Sequence, residues 1–293
     1  MRIDTLINLI GGELLNRPYI SEVVHFTDNP KEVVRGSCFI AKDERLVKEA
    51  IKKGAYAILS EKPLEIVDEE IAWIVVSDIK RAIFEIFRYE NIKQKIFFAD
   101  KLSVEIIKSM NQDKKVVILS SIEDYLKALS IKNPILVTCD EMIKRIFSDV
   151  EELKPMDIEL EFVTLFKSRF KKSEINLPLI YKEFFSKAIK FFKDFELKHT
   201  LDFKINRFKP LFINHLFEEV DYGKSEKVVI LGLRNDELFF DELNYIVKNT
   251  KHAKTLFIDK KRKHLLKEPF NFAVMVDCDF ELSKREERRL FDD

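Results

Sequence analysis

Residues 37–60 read SCFIAKDERLVKEAIKKGAYAILS, and this stretch decides the fold class. Ser37 to Ala41 is a short apolar run of strand length. Glu44 to Lys53 carries Leu46, Val47, Ala50 and Ile51 at helical spacing between Lys, Arg and Glu, and Gly54 stops it. Ala55 to Ser60 is a second apolar strand. A strand, a helix and a strand in immediate succession are the signature of an α/β domain.

The same alternation continues in both directions. Upstream, Asp4 to Leu15 reads as a helix ending at a Gly-Gly pair, and a strand near Glu22 to Phe26 enters the turn Thr27-Asp28-Asn29-Pro30. Downstream, Ala72 to Val76 is a strand and Ile79 to Tyr89 a helix. Strands at Lys95 to Phe98, Val116 to Ser120 and Ile135 to Thr138 alternate with helices at Leu102 to Met110, Ile122 to Leu129 and Met142 to Phe147. Residues 155–178 are β-rich, with Ile158, Leu160 and Phe162 alternating against Glu159 and Glu161. Ile180 to Leu197 is an amphipathic helix whose phenylalanines (184, 185, 191, 192, 195) mark a core-facing stripe. Strands at Val228 to Leu231, Thr255 to Ile258 and Ala273 to Val276 and a helix at Asp236 to Val247 complete the pattern. The closing stretch LSKREERRLFDD reads as a solvated helix end. The expected organisation is a small N-terminal α/β domain over residues 1–90, followed by a larger α/β domain over 91–293 with a mostly parallel sheet.

Composition narrows the function classes. The chain has 51 basic and 51 acidic residues, so no charge excess points to nucleic acid or an anionic membrane. No apolar run approaches the ~20 residues of a membrane span, and the N-terminus lacks a small-residue cleavage site. A cytoplasmic protein is expected. Cys38, Cys139 and Cys278 are odd in number and widely spaced, with no C-x-x-C, which suits reduced thiols. His25, His199, His215, His252 and His264 are isolated, so no metal site is expected. No G-x-S-x-G or activated cysteine marks a nucleophile, and no catalytic residue is assigned.

Glycine is the scarce residue. The chain has 6, against roughly 20 for an average protein of this length. Phosphate-cradling loops need glycine where backbone must approach phosphate or turn with positive φ, and neither glycine-rich nucleotide motif is present. Gly223-Lys224-Ser225 imitates the tail of a phosphate loop, but it precedes an expected strand instead of opening a helix, and Glu218 stands where the first glycine belongs. It reads as a polar turn.

The first ninety residues resemble the N-terminal domain of the Mur ligases, the enzymes that extend UDP-N-acetylmuramoyl-peptides. The resemblance runs through LINLIGGELLN (6–16), then TDNPKEVVRGSCFIA (27–41), then KGAYAILSE (53–61) and VSDIKRA (76–82), in the family's order and spacing. It implies a Mur-ligase-type domain that holds the uridine diphosphate end of the precursor, with Thr27, Asp28, Ala41 and Lys42 as binding residues. Asn29-Pro30 stand where the family has Ser-Arg, and the loop after Ala41 is shortened.

In that family the second domain binds ATP through a G-T-N-G-K-[TS] loop. The corresponding strand, loop and helix here is KIFFADKLSVE (95–105), which has neither glycine nor asparagine and places Asp100 where a phosphate would sit. The resemblance therefore implies a bacterial peptidoglycan-synthesis protein without an ATP cofactor. Such a pseudoenzyme would bind a UDP-N-acetylmuramoyl-peptide or a cell-wall enzyme. Two alternatives stand beside it: an active ATP- and Mg-dependent amide ligase with a divergent phosphate site, and an interaction module that kept only the fold.

Overall fold

The computed structural model describes residues 1–280, so the expected helix end at 282–293 lies outside the described residues. The chain parts into two compact units. One comprises residues 1–104 and 113–153, the other 105–112 and 154–293. Neither unit begins or ends at residue 90, where a division was expected.

In the first unit the elements are α1 (Ile3–Ile10), β1 (Glu13–Leu14), β2 (His25–Thr27), β3 (Ser37–Ile40), α2 (Val47–Lys52), β4 (Ala55–Ser60), β5 (Ala72–Val75) and α3 (Ile79–Glu90). They form a sheet of order β1-β5-β4-β3-β2. Strands β2 to β5 are parallel, and β1 pairs antiparallel with β5. The helix expected to reach Leu15 stops at Ile10. Gly11 adopts the left-handed conformation with φ 61° and closes the helix. A Cβ on Gly12 would meet Ile74 at 2.9 Å, so glycine lets the chain run tightly alongside β5.

Next come β6 (Ile96–Phe98), α4 (Lys101–Met110, of which 105–110 count with the second unit), β7 (Val116–Leu119), α5 (Ile122–Ser130), β8 (Ile135–Thr138), α6 (Glu141–Ile146) and β9 (Val150–Glu152). Their sheet has order β7-β8-β6-β9 and is parallel throughout. Residue 90 is no boundary because the two sheets share one core. Leu59, Ile74 and Phe87 belong to the same buried cluster as Ile96, Val117 and Leu136. Phe87 stacks on Tyr125 with ring centroids 4.7 Å apart, the kind of aromatic pair that adds ~0.5–1.5 kcal/mol beyond area burial. A second cluster, with Phe39, Ala50, Ile58 and Trp73, is covered by α2.

The second unit holds β10 (Leu160–Phe162), β11 (Ser168–Phe170), β12 (Ser173–Ile175), α7 (Lys182–Asp194), β13 (Lys209–Ile213), β14 (Lys227–Leu233), α8 (Phe239–Asn249), β15 (Thr255–Ile258) and β16 (Phe272–Val276). β10–β12 form an antiparallel three-stranded sheet. The other sheet has order β13-β14-β16-β15, parallel except for its β13 edge. Residues 91–293 thus carry three sheets, and the expected α/β class and mostly parallel pairing hold. The expected aromatic core of α7 is present: Phe185, Phe191 and Phe192 are buried, and Phe170 meets Phe185 edge-on at 5.2 Å. Gly223-Lys224-Ser225 sits in a turn closed by Lys224 N–H donating to Asp221 O at 3.1 Å, ahead of β14.

Among the described residues, no helix is long and apolar enough to cross a membrane. The three cysteines are free thiols, and burial pushes Cys38 up to about 12.

Candidate functional site

The turn after β2 is built by short polar side chains bonding to nearby amides. Asn29 Oδ1 accepts the Lys31 N–H at 3.0 Å and opens a single 3₁₀ turn over Pro30–Glu32. Pro30 has no N–H to leave unsatisfied at that first position. The Thr27 hydroxyl accepts the Asn29 N–H at 3.1 Å and donates to Glu32 Oε2 at 3.3 Å. Thr27 is buried and its hydroxyl is engaged within the turn.

Asp28 is arranged differently. Its carboxylate lies 2.9 Å from Lys42 Nζ, and the same ammonium lies 3.4 Å from Glu123 Oε1 at the start of α5. Burial works against the Lys42 charge, but the Asp28 hydrogen bond and the Asp28 and Glu123 charges outweigh it and hold its pKa above the ordinary lysine value. Glu123 is held below the usual carboxylate value, first by its own backbone N–H, then by the Ser121 hydroxyl and the Lys42 charge.

Ala41 continues β3, its N–H donating to Leu59 O at 2.8 Å. Ala41 and Lys42 line a cleft of ≈ 670 Å³ together with Ser60, Lys62, Lys80 and Glu123. The cleft lies just beyond the carboxyl ends of the parallel strands β3 and β4, where open α/β sheets place their ligands. Nearby helix starts are already satisfied by protein groups. Asp78 accepts the Lys80 and Arg81 N–H groups, and Glu61 accepts that of Ile79 at 3.0 Å. The charged lining side chains that form neither an ion pair nor a hydrogen bond among the described residues are the ammonium ions of Lys62 and Lys80 and the carboxylate of Glu44.

Of the residues expected to bind a precursor, Ala41 and Lys42 line the cleft, Asp28 braces Lys42 at its wall, and Thr27 is held inside its own turn. Lys62, Lys80 and Glu123 were not expected. Lys80 lies within VSDIKRA (76–82) and Lys62 directly follows KGAYAILSE (53–61), but lysine is a common surface residue by type. Glu123 is far along the chain, and no spacing links it to Lys42.

The helix start at α4 is where the sequence resemblance places a phosphate loop. Asp100 Oδ1 accepts the Ser103 N–H at 2.8 Å, and Asp100 Oδ2 accepts the Ser103 hydroxyl at 2.8 Å. A carboxylate therefore occupies the amide-rich helix end that otherwise attracts anions. Among the described residues, no group of three or more His, Cys, Asp or Glu side chains converges to hold a metal ion.

No protein-family model matches the sequence, and no curated protein matches it. Solved structures do. A structure of MurF from Acinetobacter baumannii is similar at 10% identity with a TM-score of 0.46, covering 94% of this chain and 85% of that one. A structure of UDP-N-acetylmuramoylalanyl-D-glutamyl-2,6-diaminopimelate–D-alanyl-D-alanyl ligase from the same organism gives 10% identity and 0.42, with the same coverage. The MurF ligase of Thermotoga maritima in complex with ADP gives 11% and 0.37, covering 86% of this chain and 93% of that one.

Proposed function

We propose that this chain is a non-catalytic, Mur-ligase-like protein of bacterial cell-wall synthesis. In the cytoplasm it holds the uridine diphosphate end of a UDP-N-acetylmuramoyl-peptide in the cleft of the first unit. One observation carries the reading. The ordered motifs of residues 6–82 fold so that Ala41 and Lys42 line a cleft at the carboxyl ends of β3 and β4, beside Lys62 and Lys80, which form no ion pair among the described residues. Lys62 and Lys80 would meet the diphosphate as charge-assisted donors. Lys42 would hold Asp28 and Glu123 in place, and Ala41 would supply wall.

The non-catalytic part of the reading rests on Asp100. An acyl-phosphate mechanism needs the γ-phosphate of ATP cradled by backbone amides and Mg²⁺. At α4 a carboxylate already takes the Ser103 amide, and a triphosphate brought there would meet like charge.

Calorimetric titration of the full chain with UDP-N-acetylmuramoyl-peptide, and separately with Mg-ATP, tests both parts. The expected outcome is saturable precursor binding that weakens with salt and with Lys62→Ala or Lys80→Ala, and no heat with Mg-ATP. Binding of Mg-ATP would overturn the non-catalytic reading in favour of an active ligase. Binding of neither ligand would overturn precursor binding and leave a module that docks on a cell-wall protein.

A further inference from the structure

A second cavity, of ≈ 500 Å³, lies wholly within residues of the second unit. Its volume is within the ~300–1,000 Å³ range of small-molecule sites, and its lining is unusual for so balanced a chain. Lys167, Lys204 and Lys209 line it, and none of their ammonium groups forms a hydrogen bond or ion pair among the described residues. Among the lining residues only Glu219 is acidic. The apolar wall is aromatic. Phe166 meets Phe212 edge-on with centroids 6.1 Å apart, and Phe212 meets Tyr222 edge-on at 5.2 Å. Tyr222 is 65% exposed, and Lys167 Nζ lies 5.8 Å from its ring centroid.

The segment that supplies Lys204 and Lys209 is fixed in place. Gly232, at φ 83° in a bulge of β14, lies so close beneath it that a Cβ there would meet Asn206 O at 2.1 Å. Arg207 is also a lining residue, but its guanidinium is engaged away from any ligand. It bonds Glu242, which is fully buried, and reaches both Asp236 oxygens at 2.6 and 2.7 Å. The Tyr181 hydroxyl donates to the same Glu242. Phe208 is buried with φ 56°, a conformation that bulky residues seldom adopt unless their surroundings impose it. The backbone that carries Lys204 and Lys209 is thus preset, which lowers the ordering cost of binding.

We infer that this cavity binds an aromatic anion, a planar ring bearing a phosphate or carboxylate. The ring packs against Phe166, Phe212 and Tyr222, and the anionic group meets Lys167, Lys204 and Lys209. Aromatic walls favour a ring over a bare oxyanion, and unpaired lysines favour an anion over a neutral ring.

The test is titration of the full chain, with a chelator present, by phenyl phosphate, benzoate and inorganic phosphate, followed by ligand-observed NMR. Phenyl phosphate, benzoate or both should saturate, with inorganic phosphate at least about tenfold weaker; which of the two aryl anions binds more tightly identifies the acidic group. Lys167→Ala with Lys209→Ala should weaken binding at least about tenfold, as should Tyr222→Ala. Tyr222→Phe keeps the ring and should bind as the parent does, and Lys248→Ala, at an exposed position of α8, should leave aryl-anion binding unchanged. The inference is overturned if neither aryl anion saturates below about 10 mM. It is equally overturned if inorganic phosphate binds as tightly, or if the lysine and tyrosine variants bind unchanged.

Discussion

Replacing Arg207 by methionine isolates the energetic core of the second unit. The guanidinium is 10% exposed and joins Glu242, which is fully buried, to Asp236, which is 41% exposed. Methionine keeps most of the stem volume and removes the charge, leaving the Glu242 carboxylate with Tyr181 as its remaining hydrogen-bond partner among the described residues. Breaking a buried pair from one end costs about 3–5 kcal/mol, most of it the penalty of a stranded charge. The Asp236 contact adds little, because exposed pairs are worth about 0–1 kcal/mol. A loss of about 3 kcal/mol is roughly two decades in the opening equilibrium. Amide hydrogen exchange over residues 227–250 should therefore accelerate about a hundredfold under conditions where exchange reports opening free energy. The double variant Arg207→Met with Glu242→Gln removes the stranded charge and should recover at least half of the loss. The reasoning fails if Arg207→Met alone costs less than about 1 kcal/mol, or if adding Glu242→Gln deepens the loss.

Gly232→Ala should destabilise the second unit by at least about 3 kcal/mol in urea unfolding, because positive φ and a backbone oxygen at 2.1 Å act together. Asp100→Ala should cost about 1 kcal/mol through loss of the α4 cap and should not confer Mg-ATP binding in calorimetry, since no glycine loop replaces it. Asp236 is held below its ordinary value of 3.8, chiefly by the Arg207 hydrogen bond. Its stabilisation is therefore complete above that value and is lost as pH falls through the lowered one, so Asp236→Asn should flatten the acid limb of the stability profile. Lys42 is raised above its ordinary 10.5: burial opposes the shift, and Asp28 and Glu123 overcome it. That contribution is complete below 10.5 and lost as pH rises past it, so Lys42→Met should flatten the alkaline limb.

The local elements were legible wherever a short-range rule governs them. Ala55–Ser60, Thr255–Ile258 and Ile135–Thr138 fall where their apolar runs place them. Errors occurred where a distant partner decides. Glu13-Leu14 carries a helical pattern yet pairs with Val75 and Ile74. Val150–Glu152 was not assigned a strand, yet it pairs with Ile96–Phe98 as β9. Of the candidate cleft, Ala41 and Lys42 were legible from motif order. Lys62, Lys80 and Glu123 were not.

The amino-acid order by itself determined the α/β alternation, the aromatic face of α7, the absence of a glycine-rich phosphate loop and the carboxylate at the start of α4. Each depends on periodicity, on glycine's freedom at positive φ, or on a capping residue within a few positions. Tertiary structure alone decided that residues 1–90 share a core with the next sheet and that Glu123 meets Lys42. It also brought Arg207 to Glu242 and gathered Lys167, Lys204 and Lys209 around one aromatic cavity. Those depend on which surfaces the chain buries together, and side chains tens of residues apart become partners only when that burial brings them into contact.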